Sequence, residues 1–216
     1  MNYLIGVTLL WSFSFSLIGV YLAGQVDAYF SVLTRIALAT LVFLPFLRRR
    51  WLRPALAGKL MVLGAIQLGI MYLFYYHSFL LLTVPEVLVF TIFTPIYVTL
   101  LHDLLERRFN LAYLWGALLA VTGAAVIRFD GLTESYALGF MVVQGANLCF
   151  ALGQVGYKVL LAREAEQPPQ LAVFGCFYLG ALVIALPAWW LLGKPQYPTS
   201  GLQWGILLWL GVGASG

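Results

Sequence analysis

Residues 28–53 read AYFSVLTRIALATLVFLPFLRRRWLR, and this stretch decides the class of the fold. Its first 20 residues contain a single charged side chain, Arg35. A helix of about 20 apolar residues spans the roughly 30 Å hydrocarbon core of a bilayer. Four arginines follow within residues 48–53, and basic clusters beside an apolar run mark the cytoplasmic end of a transmembrane helix. The stretch therefore predicts a helix that crosses a membrane.

The whole chain has the composition of a membrane protein. Of its 216 residues, 62% are hydrophobic and only 9% are charged, whereas a soluble domain carries about 45–50% apolar and about 25% charged residues. A water-soluble fold of this size cannot bury so much apolar surface. The net charge of +4 does not indicate a nucleic-acid partner, because the basic residues lie in short connectors between apolar runs. The lipid bilayer is the predicted environment.

Eight apolar runs of membrane-spanning character follow one another along the chain. They cover residues 3–23, 28–47, 60–81, 84–104, 111–128, 137–158, 171–192 and 203–216. The connectors are short, which predicts one all-α helical bundle without a soluble domain. The last run has about 14 residues, or roughly 21 Å of helix at 1.5 Å per residue, and so falls short of a full crossing.

The distribution of lysine and arginine predicts the orientation of the bundle. Nine basic residues lie in connectors on the side of the N-terminus, and two lie on the opposite side. The nine are Arg48, Arg49, Arg50, Arg53, Lys59, Arg107, Arg108, Lys158 and Arg163, and the two are Arg128 and Lys194. Because positively charged connectors stay in the cytoplasm, the N-terminus is predicted to be cytoplasmic. The first run lacks a basic leader and is long enough to span, so it is not a cleavable signal peptide.

A faint internal repeat relates the two halves of the chain. A shift of 142 residues pairs Ala39 with Ala181, Pro45 with Pro187, Leu68 with Leu210 and Gly69 with Gly211. The shift also pairs the second span with the seventh, so each unit holds five spans, and an odd number inverts the second copy. Inverted repeats are the usual build of secondary transporters. We therefore expect repeats at 1–130 and 137–216, the second incomplete, within a ten-span fold whose last two spans this chain lacks.

Two segments carry a family resemblance. The start, IGVTLLWSFSFSLIGVYLA (5–23), and the block FTPIYVTLLHDLLERRFNLAYLWGALLAVTGAAVIRFDG (93–131) resemble EamA-type members of the drug/metabolite transporter superfamily. In the block, Pro95, Glu106 and the glycine-bearing stretch 116–123 match the family pattern. The resemblance implies ten helices in two inverted repeats, with both termini cytoplasmic, in the bacterial inner membrane. Residues 14–47 are most similar to the biotin-importing members.

Arg35 is the clearest candidate for a substrate-binding residue. It lies seven residues into the second span, about 10 Å below the outer surface. A charged side chain at that depth is costly and therefore indicates function. Its guanidinium suits a bidentate contact with a substrate carboxylate. The alternative is an arginine that reaches outward to the interface or pairs with Glu86.

Glu86 and His77 are candidates for proton coupling. Glu86 begins the fourth span and His77 lies near the outer end of the third, so both are expected near Arg35 in the outer third of the bundle. Histidine titrates in the physiological range, and a half-buried glutamate can hold a proton. Glu86 has a second interpretation as the cap of its own helix.

Two rows of polar and aromatic residues are predicted to line a binding cavity. In the third span, Gln67 and Phe74 share one helical face, with Tyr75 to its side. An amide and aromatic rings facing a cavity suit a ligand with an apolar body and polar ends.

The second row lies in the sixth span. It contains Asn147, with Gln144 about 60° away around the helix, and Trp11 of the first span can join it. The alternative is that these amides form hydrogen bonds between helices and that Trp11 packs against its neighbours.

The predicted activity is secondary transport of a small organic solute by alternating access, with biotin as the expected solute. Export of amino acids or related metabolites on the same fold is the alternative. A membrane-embedded enzyme and a structural subunit are the alternatives from other classes. No cofactor is expected, because the sequence contains no ATP-binding motif. A gradient or the solute itself would drive transport.

No metal site is expected either. His102 and Glu106 lie one helical turn apart, but two ligands are too few, and Arg107 and Arg108 are better partners for the carboxylate. The cysteines, Cys149 and Cys176, lie inside apolar runs and are expected to be packing residues.

Overall fold

The computed structural model describes residues 2–51, 53–107, 115, 116, 118, 119, 122, 134–164 and 168–215, and this part of the chain forms helices joined by short turns. The α-helices are α1 (Asn2–Leu17), α2 (Ala28–Phe43), α3 (Pro54–Gly64), α4 (Met71–Ser78), α5 (Val84–Thr91), α6 (Thr94–Glu106), α7 (Glu134–Ala162), α8 (Gln170–Leu192) and α9 (Gly201–Leu208). Wide π-helical turns at Ile18–Leu22, Ala65–Ile70 and Trp209–Gly213 extend α1, connect α3 to α4 and extend α9.

Six of the eight predicted spans are confirmed as apolar helices long enough to cross a membrane. They are Ile5–Leu22, Ala28–Phe46, Pro54–Ser78, Val84–Leu105, Ser135–Ala162 and Gln170–Leu192. The third begins at Pro54 rather than at residue 60, because proline at the first helical position starts a helix without losing a hydrogen bond. The predicted fifth span, 111–128, falls outside the described residues except at five positions. The eighth is the shorter apolar helix Gly201–Gly213.

The helices present large apolar side chains outward. Trp190 is 76% exposed and Leu191 is 78% exposed, and Leu9 and Met141 face outward in the same way. Lipid tails accept such side chains where water does not. The opposite faces form the core, in which Val32, Ile36, Ala39, Val173 and Ala181 are fully buried.

Glycines let the third and seventh spans approach closely. A Cβ atom on Gly64 would overlap the backbone of Phe177, and one on Gly180 would overlap the backbone of Met61. Small residues at such crossings bring helix backbones together in membranes, where packing rather than hydrophobicity drives association. The crossing of α3 and α8 is therefore set by two glycines, one on each helix.

The fourth span is broken near its middle. The helix α5 ends at Thr91, and α6 starts at Thr94 after a turn at Ile92 and Phe93. Pro95 lacks the N–H that would continue the ladder of hydrogen bonds across this point. Unpaired backbone groups inside a membrane need other partners, and the break therefore creates a polar site within the bundle.

Candidate functional site

Arg35 lies in the interior of the bundle, among tyrosines. The side chain is only 6% exposed. Its Cζ atom is 4.4 Å from the centre of the Tyr72 ring, a cation–π distance. Tyr76 and Tyr178 also lie beside the guanidinium. The arginine does not reach outward to the interface, so the first alternative interpretation of it does not hold.

The guanidinium of Arg35 is largely without hydrogen-bond partners. Its Nε donates to Ser215 Oγ at 2.7 Å, and the Tyr178 hydroxyl donates to the Ser215 carbonyl oxygen. Among the described residues, neither terminal nitrogen makes a hydrogen bond of good geometry and no carboxylate forms an ion pair with Arg35. An arginine carries five N–H donors in a fixed fork. Apart from the neighbouring Tyr76 hydroxyl, the two terminal nitrogens have no partner among the described residues, and anion binding by them stays a prediction.

The sequence positions Arg35 through the buried face of α2. Ser31 and Ala39, one turn before and one turn after it, are fully buried, as is Ile36. Residues four apart share a helical face, so the apolar stripe that packs α2 into the core carries the arginine inward with it. Asp27 caps the helix by accepting a hydrogen bond from the Phe30 N–H at 2.9 Å, which fixes where this face begins.

His77 and Glu86 make other contacts and do not meet Arg35. His77 Nδ1 is 2.7 Å from the Leu73 carbonyl oxygen, and since a carbonyl only accepts, Nδ1 carries the proton and donates. Its ring stands against Tyr29 at 4.7 Å between centroids. Glu86 Oε2 accepts from the Thr83 N–H at 2.7 Å, so this carboxylate caps its own helix. Their proposed part in proton coupling stays a prediction.

The first polar row faces the sixth span. Gln67 is buried against Gly153 of α7. The Phe74 ring packs against Gly145, 3.4 Å from the position that a Cβ atom on this glycine would occupy. Tyr75 is buried on the neighbouring face, its ring 5.2 Å from that of Phe15, and its hydroxyl has no partner within the described part of the chain.

The second row is tied to the break in the fourth span. Asn147 Nδ2 donates to the Phe90 carbonyl oxygen at 2.8 Å and to Gln144 Oε1 at 3.2 Å, and Asn147 Oδ1 accepts from Thr94 Oγ1 at 3.0 Å. Asn147 thus bridges the two halves of the broken helix. The Nε2 of Gln144 is buried and lacks an acceptor among the described residues. The part of Gln144 in substrate binding stays a prediction.

Trp11 lies at the edge of this row. It is 46% exposed, and its ring contacts Phe150 at 6.4 Å and Phe15 at 6.5 Å between centroids. The packing predicted as the alternative for Trp11 is therefore present. Since Phe15 also contacts Tyr75, aromatic contacts connect the first, third and sixth spans.

Replacing Asn147 by alanine is expected to lower stability by about 1–3 kcal/mol, because it removes the hydrogen bonds that Asn147 makes with Phe90 on one side of the break and Thr94 on the other. The measurement is the thermal unfolding of the purified protein in detergent. Gln154→Ala is the matched control, since Gln154 is an exposed amide on the same helix. Equal melting temperatures for Asn147→Ala and the control would show that the bridge does not stabilise the broken helix.

Four residues at the Arg35 site were not anticipated from the sequence: Tyr72, Tyr76, Tyr178 and Ser215. The spacing of Tyr72 and Tyr76, one helical turn apart, was the available signal. Tyrosine is common at the membrane surface, so sequence alone did not indicate that these two lie beside a buried cation.

The basic end of the bundle carries a smaller polar cluster. His102 Nε2 is 3.2 Å from Lys158 Nζ, and His102 Nδ1 is 3.9 Å from Asp103 Oδ1. The described residues contain no group of three or more His, Cys, Asp or Glu arranged to hold a metal ion. The Glu106 side chain lies outside the described part of the chain.

The comparisons with known proteins agree with this architecture. The profile of the EamA-like transporter family matches residues 1–129. A protein of Pseudomonas aeruginosa named "Probable biotin transporter" is 55% identical over 98% of this chain and 74% of its own length. The "Biotin transporter" of Escherichia coli strain K12 is 51% identical over 100% of this chain and 72% of its own length. A solved crystal structure, 19% identical, matches the fold with a TM-score of 0.68 over 98% of this chain and 76% of that chain. The chain belongs to the EamA-like transporter family.

Proposed function

We propose that this protein takes up biotin across the bacterial inner membrane. The observation that carries the proposal is Arg35, a buried cation whose terminal nitrogens have no carboxylate partner among the described residues. Relatives that are 51% to 55% identical over nearly the whole chain bear the name of biotin transporters. A cation at such depth is expensive to keep in a membrane unless it binds something.

The chemistry of biotin fits Arg35 and the candidate residues of the two polar rows. Its carboxylate can accept two parallel N–H bonds from a guanidinium. Its alkyl chain suits the aromatic rings of Tyr75 and Phe15, which lie 5.2 Å apart. Its ureido ring can bind the Gln67 amide and the Gln144 Nε2, the latter having no acceptor among the described residues. Asn147 has a lesser role in binding, since its own hydrogen bonds are already made.

Transport follows an alternating-access cycle in which two inverted repeats move against each other. Matching contacts under the shift of 142 residues support the repeats. The helices α2 and α8 begin at Ala28 and Gln170, which are related by that shift. Gly69 approaches Ala181 of the seventh span, and its counterpart Gly211 approaches Leu38 of the second. Each repeat thus packs its third helix on the second helix of the other.

The basic connectors support an orientation with the N-terminus in the cytoplasm. Nine lysines and arginines lie on the N-terminal side and two on the other, and positive connectors resist translocation. In this orientation α2 enters the membrane from outside, so Arg35 is reached from the periplasm first. That position suits capture of a solute for import. No chemical conversion is part of the proposed cycle.

The test is uptake of radiolabelled biotin by cells that cannot synthesise it, with the full-length gene for this chain on a plasmid. We expect saturable uptake above the empty-vector control, and biotin recovered unchanged from the cells. Absence of saturable uptake at normal membrane levels of the protein would reject biotin import and favour the exporter alternative, which release of preloaded amino acids would then test. Recovery of a modified product would indicate an enzyme.

A further inference from the structure

We propose that Tyr76 selects for a carboxylate at this site by donating a hydrogen bond to the substrate oxygen that Arg35 holds. The inference rests on the proposed function, since it concerns how biotin is recognised. It concerns a residue outside the two polar rows, and it follows from the surroundings of the guanidinium.

Tyr76 has a buried hydroxyl whose proton lacks an acceptor among the described residues. The residue is 3% exposed, and its hydroxyl makes no hydrogen bond of good geometry within the described part of the chain. The Arg35 guanidinium lies within reach of the Tyr76 oxygen, and because a guanidinium only donates, this contact leaves the Tyr76 proton free. Buried hydroxyls are nearly always hydrogen-bonded. A donor left over beside a guanidinium with free terminal nitrogens points to an acceptor that arrives with the ligand.

Its neighbours keep Tyr76 in this position. The ring stands at 83° to that of Tyr72, with 6.4 Å between centroids, and Tyr72 in turn lies under the Arg35 guanidinium. The two tyrosines are one turn apart on α4, so the same helical face supplies both. Tyr72 supports the cation through its ring face, and Tyr76 offers a hydroxyl at its side.

The combination of groups favours a carboxylate over a neutral amide. A carboxylate offers only acceptors, and a guanidinium offers only donors. The Tyr76 hydroxyl adds one more donor, which satisfies an oxygen lone pair that the guanidinium leaves free. A carboxamide would direct its NH₂ group at these same donors and leave N–H groups facing each other. The site should therefore discriminate between biotin and its uncharged amide.

The experiment compares Tyr76→Phe with wild type, using biotin as substrate and biotinamide as competitor. We expect the KM for biotin to rise about tenfold in Tyr76→Phe, the usual effect of losing a hydrogen bond to a charged group, with Vmax unchanged. The inhibition constant of biotinamide should stay the same. The melting temperature of the ligand-free protein should change little, because the Tyr76 hydroxyl makes no hydrogen bond of good geometry among the described residues.

Tyr157→Phe is the matched control. Its hydroxyl is also buried and unpartnered among the described residues, but its ring packs on Phe177, at 5.2 Å between centroids. This variant should transport biotin with the wild-type KM. A tenfold loss for biotin and for biotinamide alike in Tyr76→Phe would overturn the inference, as would an unchanged KM. Absence of biotin uptake by the wild-type protein would instead reject the proposed function together with this inference.

Discussion

Arg35→Ala is expected to abolish saturable biotin uptake, with a loss in transport efficiency of more than about a hundredfold. Each hydrogen bond to a charged group contributes about 1.5–3 kcal/mol, and the proposed contact with the carboxylate uses two of them. The substitution leaves the tyrosines with no cation to orient the ligand. Uptake is measured over a range of biotin concentrations, so that KM and Vmax are obtained separately.

Two further variants separate binding from folding. Arg35→Lys keeps the charge but not the fork of donors, and we expect it to retain a weaker uptake with a raised KM. Arg163→Ala removes an exposed arginine at the end of α7 and should behave as wild type. Membrane levels of each variant are compared by immunoblot. Wild-type uptake by Arg35→Ala at normal membrane levels would assign Arg35 a structural role and remove the main support for a carboxylate site.

The spans themselves could be predicted from the sequence because their cause is local. A run of about 20 apolar residues has a low free energy only inside lipid, whatever the rest of the chain does. The break in the fourth span was harder to predict from the sequence. Pro95 indicates that a break is possible, but not where the two helices end. The helix α5 ends at Thr91 and α6 begins at Thr94, and Asn147 of another span forms hydrogen bonds on both sides of this break.

The candidate site shows where local patterns reach their limit. Arg35 was predicted because one charge in an apolar run stands out. Its tyrosines did not stand out, and Ser215 contacts it across 180 positions of sequence. Asn147 was predicted to face a ligand, yet its amide bonds Phe90, 57 positions earlier. A buried polar group can form a hydrogen bond to another helix or to a substrate. Which of the two occurs depends on how the helices pair, and local sequence does not show that.

The two halves of the proposed repeat differ at the position of Arg35. Under the shift of 142 residues, the position of Arg35 corresponds to Phe177. The Phe177 backbone packs against Gly64. The Arg35 carbonyl oxygen packs against Gly211, 3.3 Å from the position that a Cβ atom on this glycine would occupy. The two glycines are not equivalent under the shift, but each half packs the backbone at this position against a glycine in the third helix of the other half. Only the first half carries a cation there, as expected if the proposed site binds one carboxylate.

Gly64→Leu is expected to prevent folding of the bundle altogether. Overpacking a core costs about 1–3 kcal/mol where side chains can shift. Here the added Cβ meets the Phe177 backbone, its carbonyl oxygen and Cα, which no change of rotamer can move. The third and seventh spans would have to separate, and the contact of Gly180 with Met61 on the same pair of helices would be lost with it.

The measurement for Gly64→Leu is the amount of monodisperse protein after detergent extraction. A fluorescent protein fused to the C-terminus reports that amount. Gly58→Leu is the control: it lies on the same helix, α3, and its Cβ would meet nothing within 4 Å. Both variants add the same leucine side chain. In Gly58→Leu it enters open space, and in Gly64→Leu it meets the backbone of Phe177. Folded protein in similar amounts from both would mean that the α3–α8 crossing can widen, and that this pair of helices is not the fixed axis of the bundle. Loss confined to Gly64→Leu would show that the bundle folds only when the backbones of α3 and α8 meet closely at this glycine.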